Sequence, residues 1–308
     1  MIINFVAPGV NMDPQVRLDS AYGNVIRSIL QSILCYLPEG VVSPQPLPSA
    51  VNIHFFFEGS STPGSKCVFV QHGLADKCLI SAKTVGNFDY VCVSGPAWLE
   101  KLKARGVDTR KVITIGYPSL DPLFHKPRAE KKSGRKTILY APTHANSKAS
   151  SYPAFLECID KLPDEYKILV SAHPYHGDDH MPTMEKLISA DVVIADCGST
   201  VYEAWSLGKP VVFPDWLCRD KVLKVWPDSF EADIYRRRIG YHASDFEHLV
   251  KLLELAVARG ITEEESNFIN GIFPQALRGC SGELAAATLR KIASEGRTKK
   301  ADDFKGGG

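Results

Sequence analysis

Ala190-Asp-Val-Val-Ile-Ala-Asp-Cys-Gly-Ser-Thr-Val-Tyr-Glu-Ala-Trp-Ser-Leu-Gly-Lys-Pro-Val-Val-Phe-Pro214 is the most telling stretch of this chain. Val192 to Ala195 is an apolar run of strand length that ends in small polar turn residues. A helix is predicted from Ser199, and a second buried strand, Val211 to Phe213, is entered through Gly208-Lys-Pro210. Strand, turn, helix and strand in that order make one βαβ unit of an α/β protein. Such a turn aims unpaired backbone N–H groups and the positive end of the helix dipole at one spot, where phosphate is the natural occupant. Asp196 and Ser199 stand where helix caps stand, Gly198 lets a ligand approach the backbone, and Glu203, one turn on, offers a carboxylate suited to a ribose diol. The same residues also fit an ordinary capped crossover helix with Glu203 solvated.

Working outward, strand and helix signals alternate. Ile2 to Ala7 reads as a strand, 21–36 as a helix, Val51 to Phe57 and Cys67 to Gln71 as strands. Tyr90 to Ser94 leads through Gly95-Pro96 into a helix from Ala97 to Arg105, with Pro at its first turn, and Val112 to Ile115 follows as a strand. Gly116-Tyr-Pro-Ser-Leu-Asp-Pro-Leu-Phe124 and the basic run to Lys136 have the character of an interdomain connection. The pattern restarts with a strand at Thr137 to Tyr140, a helix over 154–162, a strand from Tyr166 to Ala172 and a helix over 182–189. Beyond the opening stretch, helices are predicted near 245–258, 262–270 and 281–294. Two domains result, 1–124 and 125–297, with a charged, Gly-rich and disordered tail at 298–308. A chain of 308 residues is comfortable for two such cores.

Composition narrows the function classes. The formal net charge of +1 supplies no whole-chain field for gathering nucleic acid, so no nucleic-acid partner is expected. Lys131-Lys132, Arg236-Arg237-Arg238 and Lys299-Lys300 are short basic clusters that read as solvated surface. The eight cysteines include no C-x-x-C pair, and several lie in apolar strand runs, as buried free thiols of a reducing compartment do. Met1-Ile-Ile-Asn-Phe-Val-Ala lacks the basic flank of a signal peptide, and no apolar run reaches membrane-spanning length. A cytoplasmic location is expected. Ile26, Ile29, Leu30, Ile33 and Leu34 share one helical face that suits either a core helix or contact with a bilayer surface, and the core reading is favoured because Arg27 alone supplies a basic polar face.

Three histidines follow strands directly: His72, His144 and His173. In an open parallel sheet the ligand crevice lies beyond the carboxyl ends of the strands, so these residues are candidates for chemistry together with the helix-start anion site. The remaining histidines read as structural. His176-Gly-Asp-Asp-His180 matches no metal-ligand spacing, and no D-x-D motif is present, so neither a metal nor a cofactor is expected.

Gln71-His-Gly-Leu-Ala-Asp-Lys77, Gly116-Tyr-Pro-Ser-Leu-Asp121, Tyr140-Ala-Pro-Thr-His144, Ala172-His-Pro174 and Ala190 to Thr200 together resemble the CDP-glycerol glycerophosphotransferase family, whose members build the poly(glycerol phosphate) of teichoic acids and some capsules. The motifs occur in the family's order over residues 65–215. The resemblance implies a GT-B fold, two Rossmann-like domains facing each other across a cleft, with the C-terminal one holding the nucleotide. It implies His72 as the general base toward an acceptor hydroxyl, and His173 as the stabiliser of the phosphates or the departing cytidine monophosphate. Asp196, Ser199 and Thr200 would hold the donor diphosphate, joined by Lys77, Thr143, His144, Gly198 and Glu203. The substrates implied are a CDP-activated donor and a polymer or lipid-linked acceptor, with peripheral association at the inner face of the cell membrane as a further expectation.

Departures from the family pattern are Leu74-Ala75 in place of Thr-Pro and Cys197-Gly-Ser199 in place of Tyr-Ser-Ser. Around Glu203 and Leu207-Gly-Lys-Pro210 the sequence looks equally like nucleotide-sugar enzymes of the same fold. A glycosyltransferase using a UDP- or CMP-sugar is therefore the alternative. A binding-only nucleotide module is the reading outside enzymes. The length fits a single-transfer primase or a catalytic module.

Overall fold

The computed structural model of the chain describes residues 1–13, 21–59, 61–77, 80–125, 134–143, 148–171 and 183–302; side chains of 21–22 and 296–302 are not described. In chain order the first elements are β1 (Ile2–Val6), α1 (Ala21–Leu34), β2 (Val41–Ser43), β3 (Ala50–His54), β4 (Lys66–Val70), α2 (Ala82–Val85), β5 (Tyr90–Val93), α3 (Pro96–Ala104), β6 (Val112–Thr114) and α4 (Asp121–Phe124). Then come β7 (Lys136–Ala141), α5 (Leu156–Ile159), β8 (Tyr166–Val170), α6 (Thr183–Ser189), β9 (Val192–Ala195), α7 (Ser199–Ser206) and β10 (Val211–Pro214). The series closes with α8 (Asp215–Val225), α9 (Phe230–Arg237), β11 (Tyr241–Ala243), α10 (Phe246–Arg259), α11 (Glu263–Ile272) and α12 (Ser281–Asp302).

The strands form two sheets, ordered β2-β1-β3-β4-β5-β6 and β11-β10-β9-β7-β8. Every neighbouring pair is parallel. Parallel strands covered by helices on both faces need apolar residues at consecutive positions, and β3, β9 and β10 are buried at every residue. Counted within its own sheet, each order reads 2-1-3-4-5, the first with a sixth strand added. This doubly wound order reverses direction between its first and third strands, and ligands of such sheets bind beyond the carboxyl ends at that point. In the second sheet the reversal lies between β7 and β9.

The chain divides into two compact units. One comprises Met1–Gly73, Ile80–Lys126 and Gly271–Gly308; the other comprises Leu74–Leu79 and Pro127–Asn270. The sequence-based division into 1–124 and 125–297 therefore meets two differences. Leu74–Leu79, inside the first half, is packed into the second unit, and the C-terminal helix returns to the first, where α12 packs on α1, β1 and β3. The tail expected to be disordered from 298 is helical as far as Asp302, and 303–308 lie outside the described residues. The apolar stripe of α1 is core: Ile26, Ile29, Leu30 and Ile33 are at most 3% exposed. Among the described residues no helix is long and apolar enough to cross a membrane.

The Gly116 to Asp121 motif acts as a clasp for α12. The Asp121 carboxylate, buried, accepts the N–H groups of Gly282 at 2.6 Å and Gly279 at 3.2 Å, so it satisfies donors that the helix start leaves unpaired. Ser281 Oγ accepts from the backbone N–H of Tyr117 at 3.0 Å. Gly116 adopts φ +79°, and a Cβ there would stand 2.2 Å from Ser281 Oγ, so both conformation and space demand glycine. Asp121→Ala strands two buried N–H groups and is expected to destabilise the protein by about 2–4 kcal/mol, read by urea denaturation. A loss below about 0.5 kcal/mol, the range of ordinary surface substitutions, contradicts the clasp.

The Arg236-Arg237-Arg238 run does not form a single basic patch. Arg236 pairs with Asp233, Arg237 lies over the Phe268 ring, and Arg238 reaches Asp215 and the carbonyl of His242.

Candidate functional site

In the second unit a candidate anion site lies at the sheet reversal. Thr143 follows β7 and Gly198 follows β9, the two strands flanking the reversal point. Gly198 is the N-cap of α7, so the backbone N–H groups of Ser199 and Thr200 open the helix without intrahelical acceptors. A Cβ on Gly198 would lie 3.9 Å from both Thr143 Cβ and Thr200 N, in ordinary contact with each. Glycine is thus not required by the protein's own packing, and its effect is to leave the space over the helix start open. Lys77 completes the site from the segment Leu74–Leu79, donating from Nζ to Thr143 Oγ1 at 2.5 Å. Lys77, Thr143, Gly198, Ser199 and Thr200, which the sequence proposed together, are therefore neighbours in one unit. An ammonium, a hydroxyl and the positive end of a helix converge there, the donor set of a phosphate site.

Lys77 is held in place by its neighbour. Asp76, fully buried, accepts the Phe230 N–H at 3.2 Å at the start of α9, and its own N–H donates to Glu231 Oε1 at 3.0 Å. Tyr202 Oη, on α7, donates to the same Glu231 oxygen at 2.8 Å. Burial, and then the charge of Asp76, pushes the Glu231 carboxyl above its ordinary range. These buried contacts tie the Lys77 segment to α7 and α9. Nothing in the local sequence announces them, because the partners of Asp76 lie 154 and 155 residues away and Tyr202 lies 29 residues from Glu231.

Two expected roles need correction. Asp196 and Ser199 do not cap α7 through their side chains; the cap is Gly198 and carries no side-chain hydrogen bond. The Asp196 carboxylate is instead engaged within the protein. Its Oδ1 accepts from Thr143 N at 2.8 Å and Cys197 N at 2.6 Å, and its Oδ2 accepts from Ser151 N at 2.8 Å and Ser151 Oγ at 2.9 Å. A buried carboxylate already satisfied by the protein holds Thr143 and the turn in place. Cys197 is buried as well, and burial pushes its thiol well above the ordinary value, which disfavours the thiolate.

Glu203 lies one turn into α7, only 6% exposed, and among the described residues no group hydrogen-bonds its carboxylate. Burial raises its pKa from 4.5 to about 7. An acid whose folded pKa is raised opposes folding progressively above its unfolded value, and fully above the folded one. The shift corresponds to about 3 kcal/mol. Glu203→Gln is accordingly expected to gain stability relative to the wild type as pH rises from 5 to 8, by up to about that amount. Denaturation at both pH values checks this, and an equal difference at the two contradicts it.

In the first unit, His72 follows β4. Its Nδ1 lies 2.5 Å from the carbonyl of Phe55, which accepts a proton from that nitrogen and so assigns the lone pair of the neutral ring to Nε2. Burial lowers the pKa of His72, and the Phe55 carbonyl opposes that in part. The neutral imidazole is the form this environment favours at neutral pH. Tyr117 Oη donates to the His72 carbonyl at 3.2 Å, which links the H-G motif to the Gly116 to Asp121 motif. His144 and His173, and the His176 to His180 loop, lie outside the described residues. Among the described residues no group of His, Cys, Asp and Glu is arranged to hold a metal ion.

A cavity of about 490 Å³ opens at the carboxyl ends of β10 and β11, between Trp216, Arg219, Arg238 and Ser244. Cys218, which lines it, contacts Tyr235 Oη at 3.1 Å, and that hydroxyl donates to the Asp196 carbonyl at 2.9 Å.

With this geometry established, known proteins supply the affiliation. The sequence profile described as CDP-glycerol:poly(glycerophosphate) glycerophosphotransferase matches residues 63–217, half of the chain. The chain belongs to this family. Members similar to it include a teichoic acid glycerol-phosphate primase of Bacillus subtilis (strain 168), 27% identical over 154 residues, covering 42% of this chain and 40% of the relative. A teichoic acid poly(ribitol-phosphate) polymerase of Bacillus spizizenii is 27% identical over 201 residues, covering 53% of this chain and 30% of the relative. The chain thus spans less than half the length of these curated relatives. The wall teichoic acid polymerase TagF superposes over 96% of this chain and 89% of its own, with a TM-score of 0.65 at 15% identity. That likeness and the two doubly wound sheets give the GT-B class of fold. The glycerophosphotransferase profile spans His72, Lys77, Thr143 and the turn after β9.

Proposed function

We propose that this glycerophosphotransferase family member transfers a glycerol-phosphate or related alditol-phosphate unit from a CDP-activated donor to a hydroxyl of a cell-surface glycopolymer or its lipid-linked precursor. The observation that carries the reading is the convergence of Lys77, Thr143 and the α7 start at the sheet reversal of the second unit. The donor diphosphate lies over the Ser199 and Thr200 amides, with Glu203 taking the ribose hydroxyls. His72 Nε2 takes the proton of the acceptor hydroxyl, the oxygen attacks the β-phosphorus, and the bond to cytidine monophosphate breaks. Lys77 and the helix start neutralise charge on the phosphate oxygens as that bond opens. His173 and His144 belong to the same reading through the family motifs, with His173 on the departing nucleotide. The cavity beside Trp216 and Arg238 gives the alditol arm room.

A TagF variant was soaked with CDPG, and the relatives' names specify glycerol phosphate and ribitol phosphate, which supports a CDP-alditol over other donors. The reading includes action at the inner membrane face, where a lipid-linked acceptor is met, without resident metal or cofactor. Mass spectrometry of products with CDP-glycerol, CDP-ribitol, and UDP- and CMP-sugars tests it. Release of cytidine monophosphate with acceptor-dependent gain of an alditol phosphate is expected. Turnover of a nucleotide sugar alone overturns it in favour of a glycosyltransferase.

A further inference from the structure

The run Phe55-Phe56-Phe57 directly follows β3 and gives three like residues three different surroundings. Phe55 is buried, and its carbonyl fixes the His72 ring. Phe57 stacks on Phe69, with ring centroids 5.1 Å apart and planes at 26°. Phe56 is 38% exposed, and its ring centroid lies 5.0 Å from that of His72 at 47°.

An exposed phenylalanine is commonplace by itself. Position distinguishes this one. The other large apolar side chains exposed among the described residues are Ile2 and Val41, at the amino ends of β1 and β2, and Tyr36, just after α1. Phe56 stands at the carboxyl edge, where doubly wound sheets take ligands, against the imidazole whose Nε2 carries the lone pair.

We infer that Phe56 and His72 form an acceptor subsite in the first unit, in which the Phe56 ring is the platform for the C–H face of a polyol or sugar whose hydroxyl meets His72 Nε2. Saturated polyols present carbon-bound hydrogens on one side and hydroxyls around the edge. An aromatic face takes the first, leaving a hydroxyl to the neighbouring base. The role of His72 as base rests on the proposed function; the binding of a carbohydrate-like ligand by Phe56 does not. The class of acceptor assigned is therefore one with an apolar C–H face beside its nucleophilic hydroxyl.

The test uses the whole chain and two probes, methyl α-D-glucopyranoside and glycerol, followed by saturation-transfer NMR with wild type, Phe56→Ala, Phe56→Leu and Phe56→Trp. Phe56→Ala is expected to weaken glucoside binding roughly five- to tenfold, Phe56→Trp to retain it, and Phe56→Leu, apolar without a flat face, to fall between. In CMP-release assays with CDP-glycerol as donor and glycerol as acceptor, Phe56→Ala raises the glycerol KM by a similar factor while the donor KM holds. Equal glucoside binding by wild type and Phe56→Ala, or no glucoside binding by the wild type, overturns the subsite. Absence of CMP release from the wild type overturns the proposed function alone, since the NMR comparison stands without turnover.

Discussion

His72→Asn is expected to lower kcat by roughly 10²- to 10⁴-fold while leaving CDP-glycerol affinity within about twofold, as removal of a general base does. Asparagine keeps an N–H donor for the Phe55 carbonyl, so the loss is of the proton acceptor and not of local structure. The pH dependence carries a sign. Burial lowers the His72 pKa from 6.5, and only the neutral ring accepts a proton, so activity rises with pH through a midpoint below 6.5 and is level by neutrality. Steady-state rates from pH 5 to 8 check both points. An acid limb centred above 7, or a variant retaining more than about a tenth of wild-type turnover, contradicts the assignment.

Lys77→Met is expected to reduce kcat/KM by roughly 10²- to 10³-fold, the scale for removing one preorganised charge donor from a developing anion. Methionine preserves most of the stem, and the contacts that hold the segment belong to Asp76, Phe230 and Glu231, so folding is unaffected. Lys77→Arg is not expected to rescue. A planar guanidinium does not reproduce a compact ammonium beside Thr143 Oγ1. Calorimetry with CDP-glycerol and parallel kinetics separate binding from turnover; effects within about threefold on both contradict the role.

Much of this was legible because the decisive residues sit at strand ends. The apolar run Val192 to Ala195, the turn and the helix from Ser199 occur as predicted, and strand-end logic also led to His72, whereas Thr143 entered through the family motif. Asp196, an acidic residue before a helix, fits a cap by sequence, whereas its carboxylate takes Thr143 and Ser151, which lie 53 and 45 residues away. The helices α8 and α9 and strand β11 gave no clear signal. Asp215–Val225 buries only Asp215, Cys218 and Val222, too few for a stripe, and a three-residue strand has no period to detect. The strand expected through Phe57 stops at His54, and the helix expected over 154–162 is confined to Leu156–Ile159. The return of α12 to the first unit was hidden because Ala285, Ala286, Leu289 and Ile292 would suit either sheet.

The central claim is that the donor diphosphate is seated over the start of α7. Diffraction from crystals soaked with CDP-glycerol tests it most directly. The account predicts phosphate oxygens within about 3.2 Å of Lys77 Nζ, Thr143 Oγ1 and the Ser199 and Thr200 amides, with ribose hydroxyls on Glu203. A diphosphate bound elsewhere, with those five groups untouched, contradicts it.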